Sequence, residues 1–278
     1  MIKHILVGID TSEHSRGAQN YAFYLARRLH ATLIGLHVVD IVSIEDPLYH
    51  DISGSLGLEP CPDLSSRMRE VLTERGHAVL QNFAAAARRE RVTAETLLDL
   101  GIVANQICER ARSVDLLMIG HRGINERFST GLLGSTAESV ARKSPQPLFV
   151  SPRQFREIRR PVLAYDGSGR AMRAMRSAAE ISALLDIPLA VITVARDVKL
   201  GQKTLNEARS YLEPYSIKAN FNLIQGNTNE QIISFLKDYH ADLVFLGSYG
   251  HSRFIEMVIG SNTEYVMRNA RCPVFLFR

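Results

Sequence analysis

The sequence predicts an α/β protein made of two tandem doubly wound domains, each an open five-stranded parallel sheet with helices on both faces. Three observations carry that expectation. Short apolar runs bounded by glycine alternate with segments whose apolar residues recur at helical spacing. The alternation passes through five strands and then restarts near position 161. One arrangement of strand, glycine loop and helix start occurs once in each half, at Gly120–Ser135 and at Gly247–Ser261.

The elements follow in order. Residues 5–10 form a short apolar strand ending on Asp10, and residues 11–15 supply turn and cap side chains. Ala18, Ala22, Leu25, Ala26 and Leu29 then mark one apolar helix face, and residues 32–39 a second strand. A helix between two strands makes a βαβ unit, so these strands are parallel. Residues 41–66, with Pro47, Gly54, Gly57, Pro60 and Pro62, break the rhythm as a long loop. A helix over 66–89, a strand over 93–100, a helix around 104–111 and a strand over 115–119 lead to the first glycine loop. A helix from Ser135 and a last strand over 147–150 close the half.

The second half repeats the order. Its strands end at Asp166, Val194, Gly226, Leu246 and Phe277, and Ala171, Ala174, Met175, Ala178 and Leu185 mark its first helix. Gly120 to Gly247 is 127 residues, while Gly134 to Gly260 and Pro147 to Pro273 are each 126. Asp10 to Asp166 is 156, because the first half carries the 41–66 loop and a longer second helix. This is duplication of one domain, with boundaries at 1–152 and 158–278. The basic run from Arg153 to Arg160 reads as a solvated linker between them.

Composition narrows the function classes. Apolar residues make up 46% and charged residues 22%, as in a soluble globular chain. A net charge of +4 suits a small anionic ligand and is too weak to argue for nucleic acid. Cys61, Cys108 and Cys272 form no C-x-x-C pair, so reduced structural thiols in a cytoplasmic protein are expected. No signal-peptide core and no membrane-length apolar run is present, so no membrane partner is expected. The nine histidines form no spaced ligand set.

The glycine loops carry the chemistry. Gly247 and Gly250 allow a tight turn and close approach of a ligand, and Gly260 does so at the helix mouth. Ser261 and the N–H groups of Asn262 and Thr263 then face an anion at the positive end of a helix. Gly120, Gly123, Gly134 and Ser135 are the first-half counterparts. Ser261 and Glu264 are also spaced as a capping box, so both serines can instead be plain N-caps. Asp10 and Asp166 face the same crevices and can hold magnesium or accept from adenine or ribose, or they can simply lead their helices. His121, Arg122, His251 and Arg253 can add positive charge or be solvated loop residues.

Gly-x2-Gly-x9-Gly-Ser from Gly247 to Ser261, with a strand-one sequence reaching Asp10-Thr-Ser, resembles the universal stress protein family in its tandem form. The resemblance covers essentially the whole chain. It implies the adenine nucleotide alpha hydrolase-like version of the fold, binding of ATP (or ADP/AMP) with Mg, and a regulatory role in stress response. The contacts it implies are Asp10, Val38, Gly120, Gly123, Gly134 and Ser135 in the first half. In the second they are Asp166, Val194, Gly247, Gly250, Gly260, Ser261 and Asn262, with Asp10 and Asp166 as the metal carboxylates. The two valines would flank adenine, though apolar strand residues also serve as core. Single-domain relatives dimerise about their last strand, which implies pairing of residues 147–150 with 273–277 inside this chain, and allows a further homodimer.

The first half departs from the pattern by one residue, ten rather than nine between Gly123 and Gly134, with Gly131 available to absorb it. The second half is therefore expected to be the stronger site. Two other classes compete with a nucleotide-binding regulator. One is an ATP-using enzyme on the same fold, against which stands the absence of a P-loop or a Ser-Gly-Gly loop after strand one. The other is a partner-binding protein without a ligand. No residue is nominated as catalytic, and slow ATP hydrolysis is compatible with the first class.

Overall fold

The computed structural model describes residues 2–41, 64–123, 134–248 and 260–277. The first half runs β1 (His4–Gly8), α1 (Glu13–Leu29), β2 (Thr32–Asp40), α2 (Leu64–Arg89), β3 (Ala94–Gly101), α3 (Val103–Arg110), β4 (Leu116–Gly120), α4 (Ser135–Lys143) and β5 (Leu148–Ser151). The second runs β6 (Pro161–Ala164), α5 (Gly169–Leu185), β7 (Leu189–Ala195), α6 (Val198–Leu212), β8 (Ala219–Gln225), α7 (Thr228–Asp238), β9 (Leu243–Gly247), α8 (Ser261–Asn269) and β10 (Val274–Phe277).

All ten strands join one sheet in the order β3-β2-β1-β4-β5-β10-β9-β6-β7-β8. Within each half the strands are parallel and doubly wound, and the order reverses beside β1 and beside β6. At the centre β5 and β10 run antiparallel, with Val150 opposite Val274 and Phe149 opposite Phe275. The strands of the two halves therefore point in opposite directions, and the crevices outside their carboxyl ends open at opposite edges of the sheet.

Strand alternation splits the core into two layers. Ile5 and Val7 face one side with buried residues of α1, α2, α5 and α6. Leu6 and Leu117 face the other with residues of α3, α4, α7 and α8. Each layer is continuous across both halves, and Phe149, Phe245, Phe275 and Phe277 stack along the central strands of the first layer.

The repeat reaches local chemistry. Ser12 and Ser168 cap α1 and α5, accepting from the N–H of Ser15 and Ala171 at 3.1 Å each. Both helices stop on a left-handed residue, His30 and Asp186. Asp115 accepts from the N–H groups of Lys3 and His4, while Asp242 accepts from those of Arg159 and Arg160, tying the start of β1 and of β6 in the same way.

Three local expectations are corrected. β1 and β6 stop at Gly8 and Ala164, so Asp10 and Asp166 lie on the following turn, where each accepts the N–H of a serine two residues on. Ser261 is the first helical residue of α8 and not its cap; Gly260 takes the cap position, with no side-chain cap bond, and Gly134 does the same for α4. The linker keeps its charges in solvent but is docked: Ile158 is buried, Phe155 packs on Tyr21 and Tyr24, and Arg156 donates its N–H to the Tyr21 hydroxyl at 3.0 Å. Burial pushes that hydroxyl up to about 12 despite the Arg156 N–H. The 41–66 loop lies almost wholly outside the described residues.

Candidate functional site

At the reversal point of the first half, outside the ends of β1 and β4, lies a cavity of about 870 Å³. All six first-half candidates line it: Asp10, Val38, Gly120, Gly123, Gly134 and Ser135. Three regions can be told apart. Gly123, Gly134, Ser135 and Thr136 form a polar end at the first turn of α4. Because Gly134 offers no side chain to cap the helix, the first-turn N–H groups are left for a ligand or water. Val38, Leu36, Ile107 and Ile119 form an apolar end. Asp10 stands between, one carboxylate oxygen accepting from the Ser12 N–H at 2.7 Å and the other 3.3 Å from where Gly123 would carry a Cβ.

Several neighbours fix this geometry. The Asp10 N–H donates to the Ser15 hydroxyl at 2.9 Å. The His37 Nδ1–H donates to the carbonyl of Ile9 at 2.7 Å, holding the turn that carries Asp10, and Thr193 donates to the carbonyl of Tyr165 in the other half. The Gly134 N–H donates to the carbonyl of His121 at 3.0 Å, which closes the loop on itself.

Gly120 and Gly247 have a reason that differs from the expected one. Neither has a left-handed backbone. A Cβ on Gly120 would stand 2.7 Å from the main chain of His14, and one on Gly247 2.6 Å from that of Ala171. They are glycines because the start of α1 or α5 packs directly on the strand end. Any contact with a ligand comes in addition to that packing role.

Sequence reasoning missed the third wall. Leu72, Arg75 and Val79 of α2 line the cavity opposite β2, on one helix face. The i, i+3, i+7 spacing was visible, but which sheet edge it would meet was not. His37 and Asp40 were likewise not singled out.

The second half has the same frame with a different wall. Asp166, Val194 and Gly247 hold positions equivalent to Asp10, Val38 and Gly120, and Gly260, Ser261 and Asn262 open α8 as Gly134, Ser135 and Thr136 open α4. Gly250, His251 and Arg253 lie outside the described residues. In place of Leu72 and Arg75 stand Asp197 and Leu200, because α6 begins only at Val198; Asp197 is spent on capping it and Leu200 is 62% exposed. Tyr165 replaces Ile9, and burial, followed by the carboxylates of Glu207 and Asp166, pushes its hydroxyl up. This crevice therefore holds an extra carboxylate and lacks the wall that α2 supplies.

Among the described residues no three His, Cys, Asp or Glu side chains are grouped to hold a metal ion, and no helix is long and apolar enough to cross a membrane. Cys108 is half-buried and Cys272 buried, both as free thiols, and Cys61 lies outside the described residues.

Comparison with known proteins agrees with the repeat. Residues 1–152 and 157–278 match the profile of the universal stress protein family. A universal stress protein of Synechocystis, Slr1230, is 31% identical over 291 aligned positions, covering all of both chains. One from Mycolicibacterium smegmatis is 24% identical, over 99% of this chain and 96% of its own. A crystal structure of a universal stress protein from Archaeoglobus fulgidus superposes with a TM-score of 0.78 at 22% identity, covering 99% of this chain and 96% of that one. With a family repeat in each half and full-length likeness to these relatives, the chain belongs to the universal stress protein family, in tandem form.

Proposed function

We propose that this chain binds an adenine nucleotide, ATP or its ADP and AMP products, in the first-half cavity, and regulates a stress response through that binding. One observation carries the reading: a single cavity of about 870 Å³ gathers an apolar end, a carboxylate and an uncapped helix start in that order. The volume suits a ligand of nucleotide size. Adenine would lie against Val38, Leu36 and Ile107. The ribose and an Asp10-bound magnesium would sit at the turn, and the phosphates would meet Gly123, Gly134 and Ser135.

A magnesium ion fits this donor set, because it commonly takes one or two protein carboxylates and completes its shell with phosphate oxygens and water. Asp10 offers a single carboxylate with an oxygen toward the cavity. The ion would screen the charge between that carboxylate and the phosphates.

The sequence pattern favours the second half, but the wall of Leu72, Arg75 and Val79 and the extra Glu207 carboxylate favour the first. We assign the principal site to the first half. Residues 1–152 and 158–278 are proposed as the folding units, paired within one cytoplasmic chain through β5 and β10.

The direct experiment is to denature the purified protein and identify a released nucleotide by mass, followed by titration with ATP and magnesium. Recovery of an adenine nucleotide and saturable binding are the expected results. Absence of both, in folded protein, would leave the chain as a partner-binding member of the family.

A further inference from the structure

A second cavity, about 290 Å³, lies behind the first glycine loop at the junction of the two halves. His14, His121 and Arg122 reach it from the first half, and Arg268 and Cys272 from the second. Two guanidinium groups and two imidazoles thus border a space one third the volume of the nucleotide cavity, and no carboxylate is among its lining residues. The nearest acids are used on its outer side. Arg268 Nη2 pairs with Glu264 at 2.7 Å and lies 3.6 Å from Glu138.

The inner side of the same guanidinium is unmet. Arg268 Nε is buried and has no hydrogen-bond partner, which is a costly state for an N–H on a charged group. His121 is held on the wall by its bond to the carbonyl of Met267 at 2.6 Å. Cys272 adds a neutral surface, since burial, with the Asp242 carboxylate, pushes its thiol up to about 12. A buried N–H without an acceptor, beside further cationic side chains and in a closed space, needs a compact anion.

We propose that this junction cavity binds a small oxyanion of phosphate size, received by Arg268 Nε and the Arg122 guanidinium. A volume below the usual range for small-molecule pockets, roughly 300–1,000 Å³, excludes a second nucleotide. Guanidinium N–H groups match the oxygens of a tetrahedral oxyanion in both charge and spacing. Arg122 lines both cavities, so the anion would sit against the back of the loop that faces the nucleotide site. This assignment does not rest on nucleotide binding.

The test is calorimetric titration of the full chain with inorganic phosphate at fixed ionic strength. One equivalent should bind. Arg268→Gln should weaken binding at least about tenfold, as loss of a charge-assisted donor does. Cys272→Met fills the cavity while keeping every cation, and should weaken binding to a similar degree. Ser135→Glu, which places a carboxylate at the phosphate end of the nucleotide cavity, should leave phosphate binding intact. Absence of phosphate binding in the wild type overturns the proposal. So does binding that survives Arg268→Gln and Cys272→Met but is lost in Ser135→Glu, because the anion would then occupy the nucleotide cavity. If Arg268→Gln fails to fold for want of its Glu264 pair, Cys272→Met decides alone.

Discussion

His121 donates its Nε2–H to the main-chain carbonyl of Met267 at 2.6 Å, across 146 residues and across the junction of the halves. Met267 lies in the last turn of α8, where carbonyls have no partner within the helix. That helix begins at the second glycine motif, so one imidazole ties the first loop to the element carrying the second. His121→Phe keeps a ring and removes the donor. Its expected cost is about 1 kcal/mol in denaturant unfolding, the usual net worth of such a bond. Unchanged stability would mean that the carbonyl is served equally well by water.

Gly120→Ala and Gly247→Ala should destabilise the protein without any ligand present. Each methyl would meet main-chain atoms of the helix start at 2.7 and 2.6 Å, and overpacking of this kind costs about 1–3 kcal/mol. Thermal melting of the ligand-free variants checks it. Melting unchanged from wild type would restore the view that these glycines serve only ligand approach.

The paired aspartates Asp115 and Asp242 should respond to pH with opposite sign. Burial works to raise the Asp115 pKa, but the N–H groups of His4 and Lys3 outweigh it and hold it below the ordinary value. Its contribution is therefore complete above the unfolded pKa of about 4 and is lost as pH falls through the lower folded value. For Asp242 burial dominates over the N–H groups of Arg160 and Arg159, and its pKa is raised. Ionisation there opposes folding, and stability attributable to it increases as pH falls through the raised value toward the unfolded one. Denaturant curves of wild type against Asp115→Asn should converge on acidification, whereas those against Asp242→Asn should separate in favour of wild type. The same trend in both pairs would contradict the assignment.

Nucleotide binding should be unequal between the halves. Ser135→Glu sets a carboxylate at the start of α4, where phosphates would lie, and should weaken ATP binding at least about tenfold by charge repulsion. Ser261→Glu at the start of α8 should leave the tight site intact. The reverse pattern would return the principal site to the second half.

Separately expressed 1–152 and 158–278 should bind each other, because β5 and β10 otherwise expose apolar edges. Phe275→Asp, placed opposite Phe149, should abolish that association as measured by sedimentation. Halves that stay monomeric at high concentration would show that the junction forms only when they are linked.

Much of this architecture was legible in the residues. Strand runs bounded by glycine and near-constant offsets between Gly120 and Gly247 or Pro147 and Pro273 are enough to define a duplicated doubly wound sheet. The order within each sheet then brings Asp10 to the glycine loop without further information. The wall from α2 was not legible, since Leu72, Arg75 and Val79 are ordinary residues of an amphipathic helix until β2 is laid beside them. Ser261 and Glu264 mimic a capping box, but Gly260, at φ −62° and ψ 147°, holds the cap conformation, and Glu264 pairs with Arg268. The linker misled for a similar reason: its many arginines conceal Phe155 and Ile158, which dock it.

The central antiparallel seam has a consequence for what each half can become. In a dimer of identical chains, every residue near the twofold axis appears twice and must tolerate its own copy. Here the two copies are covalently distinct. His121 near one end of the seam corresponds to Ser248 near the other, and Cys272 corresponds to Gln146. Self-complementarity is no longer required of the interface. A substitution at one end can build a basic cavity there without imposing it at the other, and the two nucleotide crevices can drift apart in affinity while the shared sheet keeps both folded.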